Sequence, residues 1–187
     1  MEMQETDIML YENIPEEKGR LPREMEVYRL LTQLRIPFKR LDHEPMATIE
    51  ACQGIDKILG IHMCKNLFLC NSQKTYFYLL LMPGEKKFKT KELSKQINSA
   101  RLSFAPEEAM EEYLHISPGA VSVMGLMNDK ENHVKLLIDE DVLAEEFLGC
   151  HPCVNTASLK LKTKDVIEKF LPFTAHNYQV VHLTGEE

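Results

Sequence analysis

The residues able to do chemistry fall in three short stretches. Cys150-His151-Pro152-Cys153 has the C-x-x-C spacing of dithiol redox motifs, in which a helix N-terminus lowers the pKa of the first thiol. Here the pattern predicts a helix over 139–148 ended by Gly149, which puts the pair at the negative end of a helix, where a thiolate is disfavoured. The same pair with His62 and Cys64 offers the thiolate and imidazole ligands that zinc takes. The His62 and Cys64 half lacks finger spacing, however, and buried thiols are the simpler reading. Cys64 could be a nucleophile, but no neighbouring residue supplies its base or an oxyanion hole. His151 precedes Pro152, which disfavours the α region and holds the residue extended, its ring presented at an edge. Lys65 opens the apolar run Lys65-Asn66-Leu67-Phe68-Leu69-Cys70, so its ammonium can face a cleft while its stem packs. Ser117-Pro118-Gly119-Ala120-Val121 offers backbone N–H groups in a glycine turn, able to cradle a carbonyl or phosphate oxygen. No Walker loop, G-x-G-x-x-G or H-E-x-x-H occurs, which removes the common nucleotide, hydride and zinc-peptidase chemistries. Neither a metal nor a cofactor is expected.

A framework must position these stretches, and the patterning outlines it. From Glu24 onward, Val27, Leu30, Leu31 and Leu34 recur at helical spacing until Ile36-Pro37 stops the run. Residues 38–41 read as a short strand closed by Asp42-His43-Glu44-Pro45, and Thr48 can cap a helix through Gly54. Residues 65–70 and 75–82 form a hairpin about the turn 71–74. Thr90 is placed to cap a helix to about Ile97, 101–104 is a short strand, and Pro106-Glu107-Glu108 opens a helix that ends near Leu114. Residues 120–126 and 134–138, either side of Asn128-Asp129-Lys130, predict a second hairpin. Residues 156–160 are extended, Thr163 caps a helix through Phe170, and 178–183 closes as a strand. Hairpins with intervening helices imply a mixed α/β fold, its largely antiparallel sheet flanked by helices.

A chain of 187 residues, 44% of them hydrophobic, can bury one sizeable core, so a single domain is expected. The net charge of −7 argues against coating nucleic acid by bulk charge, yet residues 1–26 hold eight acids against three bases and carry most of it. The body is near neutral, and Lys86 to Arg101 holds six basic residues against Glu92, which suits a local basic patch and brief, salt-sensitive contact. Residues 1–23, broken by Pro15, Gly19 and Pro22 and lacking periodicity, read as an acidic extension ahead of a domain over 24–187. Five cysteines, an odd number, point to a reducing compartment. No apolar run approaches the roughly 20 residues that cross a bilayer, and the acidic start has no basic region before an apolar one. A cytoplasmic protein with no membrane partner is expected.

In their order along the chain, Lys65-Asn66-Leu67-Phe68-Leu69, then Ser117-Pro118-Gly119-Ala120-Val121 with Gly125-Leu126, then His151-Pro152-Cys153-Val154-Asn155-Thr156-Ala157-Ser158 resemble the YbaK/ProX family of aminoacyl-tRNA editing domains. Within it the likeness is to the free-standing ProX-type deacylases, which resemble the insertion domain of bacterial prolyl-tRNA synthetase. His43-Glu44-Pro45 and Thr48-Ile49-Glu50-Ala51 fit its first strand and helix, and the likeness spans about 24–184. The resemblance implies an enzyme, an aminoacyl-tRNA hydrolase cleaving the ester between a wrong amino acid and the terminal adenosine of tRNA, with alanyl-tRNA(Pro) as the expected substrate. Cysteinyl-tRNA(Pro) is an alternative, as is a catalytically silent tRNA- or amino-acid-binding regulator. The implied partners are the acceptor end of mischarged tRNA(Pro) and prolyl-tRNA synthetase. Lys65 matches the family's essential lysine, Gly119, Ala120 and Val121 its substrate loop, and His151 and Asn155 positions lining the same cleft. Met46, Thr48 and Ile49, with Leu67 and Val121, are the candidate substrate-binding walls. The family loop is often G-x-x-x-P, whereas Gly119-Ala120-Val121-Ser122-Val123 ends in valine. An aminoacyl ester is already activated, so the implied work is to orient water and stabilise an oxyanion.

Overall fold

The computed structural model describes residues 10–45 and 49–186. In chain order its elements are α1 (Pro22–Gln33), β1 (Phe38–Asp42), α2 (Ile49–Leu59), β2 (Cys64–Asn71), β3 (Phe77–Pro83), α3 (Thr90–Gln96) and β4 (Leu102–Phe104). There follow α4 (Glu107–Ala109), which widens into a π turn over Met110–Leu114, a 3-10 segment (Val123–Asn128), β5 (Val134–Asp139), α5 (Glu140–Ala144), β6 (Phe147–Cys150) and β7 (Ala157–Lys162). The chain closes with α6 (Thr163–Asp165), a second π turn (Val166–Phe170), α7 (Leu171–Thr174) and β8 (Tyr178–Val181).

Two sheets result, one of order β4-β2-β3-β5-β8 and one of order β1-β7-β6. β3 is central in the larger sheet and covered on both faces, which is why Phe77 to Met82 is one apolar run rather than an alternation. It forms the expected hairpin with β2, Cys64 opposite Pro83 and Cys70 opposite Phe77. Asn71 closes the turn, its Oδ1 accepting the amides of Thr75 and Tyr76 at 2.8 and 3.0 Å. One face of the sheet lies on a core that includes Tyr28, Leu31, Phe68, Leu79 and Phe170. The other lies on Leu69, Leu80, Met82, Leu93, Leu137 and Val181.

Two sequence expectations are corrected. Residues 120–126 do not form a strand, so the hairpin expected over 120–138 is absent. The Ser122 hydroxyl accepts the Met124 amide at 3.1 Å and starts the 3-10 segment. Gly125 is packed so closely that a Cβ there would lie 2.7 Å from Ile116 Cδ1. The Asp129 carboxylate then accepts the amides of His133 and Val134 at 2.9 and 2.8 Å, and the chain enters β5 parallel to β3 rather than folding back on itself. Likewise the helix expected over 139–148 is confined to α5, capped where Asp139 accepts the Asp141 amide at 3.1 Å. Phe147 to Cys150 is a strand paired antiparallel with β7, and Gly149 lies inside it instead of ending a helix. A Cβ on Gly149 would meet Ile61 Cδ1 and Met63 Sδ at 2.4 Å, so the bare glycine admits the packing of α2's following loop onto β6.

Smaller differences concern boundaries. α1 begins at Pro22, whose fixed φ suits a first helical position. α2 runs past Gly54 to Leu59, and Thr90 and Thr163 sit inside their helices, after Lys89 and Lys162. Part of the acidic N-terminal stretch packs on the body: Tyr11 and Arg40 exchange backbone bonds at 2.9 and 2.7 Å, and the Arg40 guanidinium lies 4.5 Å from the Tyr11 ring centre. Arg20 bridges Asp42 at 2.9 Å and Glu24 at 2.6 Å.

Candidate functional site

The site is built from two turns that face each other. The first follows Ser117, whose carbonyl accepts the Ala120 amide at 3.2 Å, forcing Gly119 to φ +87°. The second follows β6, where Cys153 stands at φ +62°, a conformation unusual for a residue with a side chain. Asn155, in that second turn, puts its Nδ2 only 3.4 Å from where a Cβ on Gly119 would be, so the two turns touch at that point. The amides of Gly119 and Val121 have no acceptor among the described residues and remain available to a ligand. Asn66 anchors the first turn to β2: its Oδ1 accepts the Val123 amide at 3.0 Å while its Nδ2 donates to the Cys64 carbonyl at 3.3 Å.

His151 opens the second turn. Its Nδ1–H donates to the Ala157 carbonyl at 2.8 Å, which leaves the lone pair on Nε2. Burial lowers its pKa, the Ala157 carbonyl opposes that shift, and the neighbouring His43 adds to it. The ring is therefore neutral near pH 7. His43 lies with its ring centre 6.2 Å away, donating from Nδ1 to the Glu44 carbonyl at 2.8 Å and accepting at Nε2 from the Ser158 hydroxyl at 2.9 Å. The His43 amide also donates to the Thr156 carbonyl at 2.9 Å, so the end of β1 buttresses the second turn.

The one contact joins Gly119 to Asn155, with Ala120 and Val121 following in the first turn and His151 opening the second, and His43 and Asn66, which the sequence did not single out, brace the two turns. Lys65 is placed differently. It lies opposite Met82, which packs into the core on the face of β2 away from Asn66, and its ammonium donates to the Lys86 carbonyl. Met46 and Thr48 lie outside the described residues, and Ile49 is the first residue of α2.

The C-x-x-C pair begins at Cys150, the last residue of β6, not at the end of a helix. Burial pushes the Cys153 thiol up to about 12 and the Cys150 thiol higher still, and takes Cys64 to about 11, so all three are protonated and unreactive at neutral pH. Both members of the pair are free thiols. Among the described residues no group of three or more His, Cys, Asp or Glu side chains is arranged to hold a metal ion. No helix among them is long and apolar enough to cross a membrane.

A glycine turn with open amides, set against an asparagine and a neutral histidine on a mixed α/β frame, is the equipment for holding a small carbonyl compound. The class of protein is fixed by comparison: the chain belongs to the family described as aminoacyl-tRNA editing domain, whose model matches residues 43–169. Among particular relatives, it is 31% identical over 153 residues to "Prolyl-tRNA editing protein ProX" of Acetoanaerobium sticklandii, covering 82% of this chain and 93% of that one. It is 30% identical over 157 residues to "Prolyl-tRNA synthetase associated domain-containing protein 1" of Mus musculus, covering 81% and 91%. The fold is shared with a crystal structure described as "a putative trans-editing enzyme for prolyl tRNA synthetase", at TM-score 0.62 and 15% identity, over 89% of this chain and 100% of that one.

Proposed function

We propose that the protein is a trans-acting aminoacyl-tRNA deacylase that removes alanine wrongly esterified to proline tRNA. The observation that carries this reading is the contact, through Gly119 and Asn155, between the turn bearing the open Gly119 and Val121 amides and the turn opened by a neutral His151 whose Nε2 has a lone pair. The amides donate to the ester carbonyl oxygen, where charge develops as water attacks. His151 Nε2 accepts a hydrogen bond from that water and orients it, a role only an uncharged ring can take. Asn155 holds the loop in place. Lys65, on its flexible four-carbon stem, turns from the Lys86 carbonyl to a substrate phosphate or carbonyl when tRNA arrives. None of these steps calls for a cofactor.

Support for the proline context comes from the names of the relatives, one a prolyl-tRNA editing protein and the other a prolyl-tRNA synthetase associated domain protein. Prolyl-tRNA synthetase is accordingly the proposed source of the substrate, the cytoplasm the place of action, and residues 24–187 the catalytic unit. Alanyl groups are selected over prolyl ones by size, since a synthetic site separates small apolar side chains poorly and a second, smaller site must complete the discrimination. Cysteinyl-tRNA(Pro) is the competing substrate, being close to alanyl in bulk. The test is release of amino acid from alanyl-, cysteinyl- and prolyl-tRNA(Pro) by the purified full chain. Rapid release from the alanyl ester with the prolyl ester untouched is expected. Equal rates on both would remove the size sieve, and tRNA binding with no release from any would leave a regulator in place of an enzyme.

A further inference from the structure

The basic stretch from Lys86 to Arg101 is not uniform in the folded protein. Lys86 is taken up internally, its ammonium 3.0 Å from Asp139, 2.7 Å from Asp141 and 2.6 Å from the Leu183 carbonyl. Glu92, the one acid in the stretch, is also occupied, accepting from the Thr184 amide at 2.6 Å and hydroxyl at 2.9 Å and from the Gly185 amide at 3.3 Å. Lys87, Lys91, Lys95 and Arg101 are exposed and make no ion pair among the described residues.

Phe104 is 65% exposed at the end of the edge strand β4, three residues after Arg101, and β4 packs beside α3, which carries Lys91 and Lys95. An aromatic ring left in water at a sheet edge is costly, and this one has a second ring behind it: Phe88, 6.0 Å away and tilted by 60°, which is itself packed on the core. Phe104 lies opposite Leu69 on β2, and opposed residues share a face of the sheet. Leu69 is fully buried in the second core, so Phe104 stands at that core's rim with its ring in solvent. An exposed aromatic face, a backing ring and unpaired cations are the parts of a single-stranded nucleic-acid site, where bases stack on rings and phosphates meet the cations. An apolar protein partner would not require four unpaired cations in the same stretch.

We infer that Phe104, backed by Phe88 and flanked by Lys87, Lys91, Lys95 and Arg101, is the landing platform for the unpaired 3′ end of tRNA. This rests on the deacylase reading for the identity of the nucleic acid, and deepens it by assigning the surface that takes the strand.

The experiment measures anisotropy of a labelled single-stranded RNA of tRNA 3′-terminal sequence, carrying no amino acid, with the full chain at two salt concentrations. Phe104→Ala should weaken binding about 10-fold with the salt dependence unchanged, and Phe104→Tyr should bind as the wild type does. Lys91→Glu with Lys95→Glu should weaken binding and flatten the salt dependence. Thermal unfolding of Phe104→Ala at the wild-type temperature establishes that the exposed ring is not needed for folding. Wild-type affinity in Phe104→Ala, or a Phe104→Tyr variant as weak as Phe104→Ala, overturns the platform. Alanyl-tRNA(Pro) hydrolysis by the wild-type chain is scored separately. Loss of RNA binding in Phe104→Ala without any wild-type hydrolysis would keep the platform and reject the deacylase. Hydrolysis with Phe104 immaterial to binding would do the reverse.

Discussion

On the proposed mechanism, His151 sets the pH at which the site can work. Burial, and to a lesser degree His43, depress its pKa below the ordinary 6.5, so the ring is neutral at and above that pH and charges only as pH falls through the lower folded value. The deacylation rate should be flat above pH 6.5 and decline on the acid side, and His43→Ala should move that decline to higher pH by removing a neighbour that opposes the charge. The stability contribution has the same sign: the unfolded ring binds the proton first, so it is present above 6.5 and lost as pH falls through the folded value. His151→Ala should cost roughly 100-fold in rate, measured by single-turnover release. Lys65→Ala should lose a comparable roughly 100-fold, and a wild-type rate would remove it from the mechanism. At this scale the local backbone was legible where residue type declared it, as in the glycine turn at Gly119, which stands at φ +87°. His43 and Asn66 were missed because their roles consist of contacts to Ser158 and Val123, far along the chain, which leave no local pattern.

Among the elements, the first turn is held by very little, and that is testable. Asn66→Ala frees the Val123 amide from its acceptor and should destabilise the protein by about 1–2 kcal/mol. Because Val123 lies just beyond the Gly119 loop, KM should rise more than kcat falls, as steady-state kinetics on the alanyl ester will record. Gly119→Ala places a Cβ at φ +87° and 3.4 Å from the Asn155 amide. It should cost about 1–2 kcal/mol by denaturant titration, with activity reduced further as Asn155 shifts. The β2–β3 hairpin was readable because an apolar run, a polar turn and a second apolar run all indicated it. Residues 120–126 misled because their apolar content is also what a buried 3-10 segment needs, and Ser122 decides between the two through a single hydroxyl bond. The stretch 139–148 holds both a short helix and a strand, and no periodicity over ten residues can resolve two elements of five and four.

For the molecule as a whole, one buried polar pair fastens the C-terminal third. Asp129, in the turn before β5, is 2.9 Å from His176 Nε2 just ahead of β8, and both are buried. Burial would raise the Asp129 pKa, but the His176 bond and the amides of Val134 and His133 more than offset it and hold it low. The stabilisation is therefore present above the ordinary 3.8 and lost as pH falls through the folded value. His176→Ala leaves the carboxylate without its partner and should cost roughly 3 kcal/mol, a Tm lowered by roughly 6–12 °C. The mixed α/β class was legible from alternating hairpins and helices, but the division into two sheets was not, since it depends on which strands meet across the chain.

That β1 lies against β7, with Phe38 opposite Leu161, also imposes an order on synthesis. At ribosomal rates the stretch between these partners takes roughly 6–25 s to make, and for that time Phe38 and Leu41 have no strand to pair with. Both turns of the site depend on strands finished in that interval, one turn lying between β6 and β7 and braced by the end of β1. A nascent chain released before β7 is made therefore carries Lys65, Gly119 and His151 but lacks the strand that, with the end of β1, braces the second turn, and such fragments would be prey for proteases rather than partial editors.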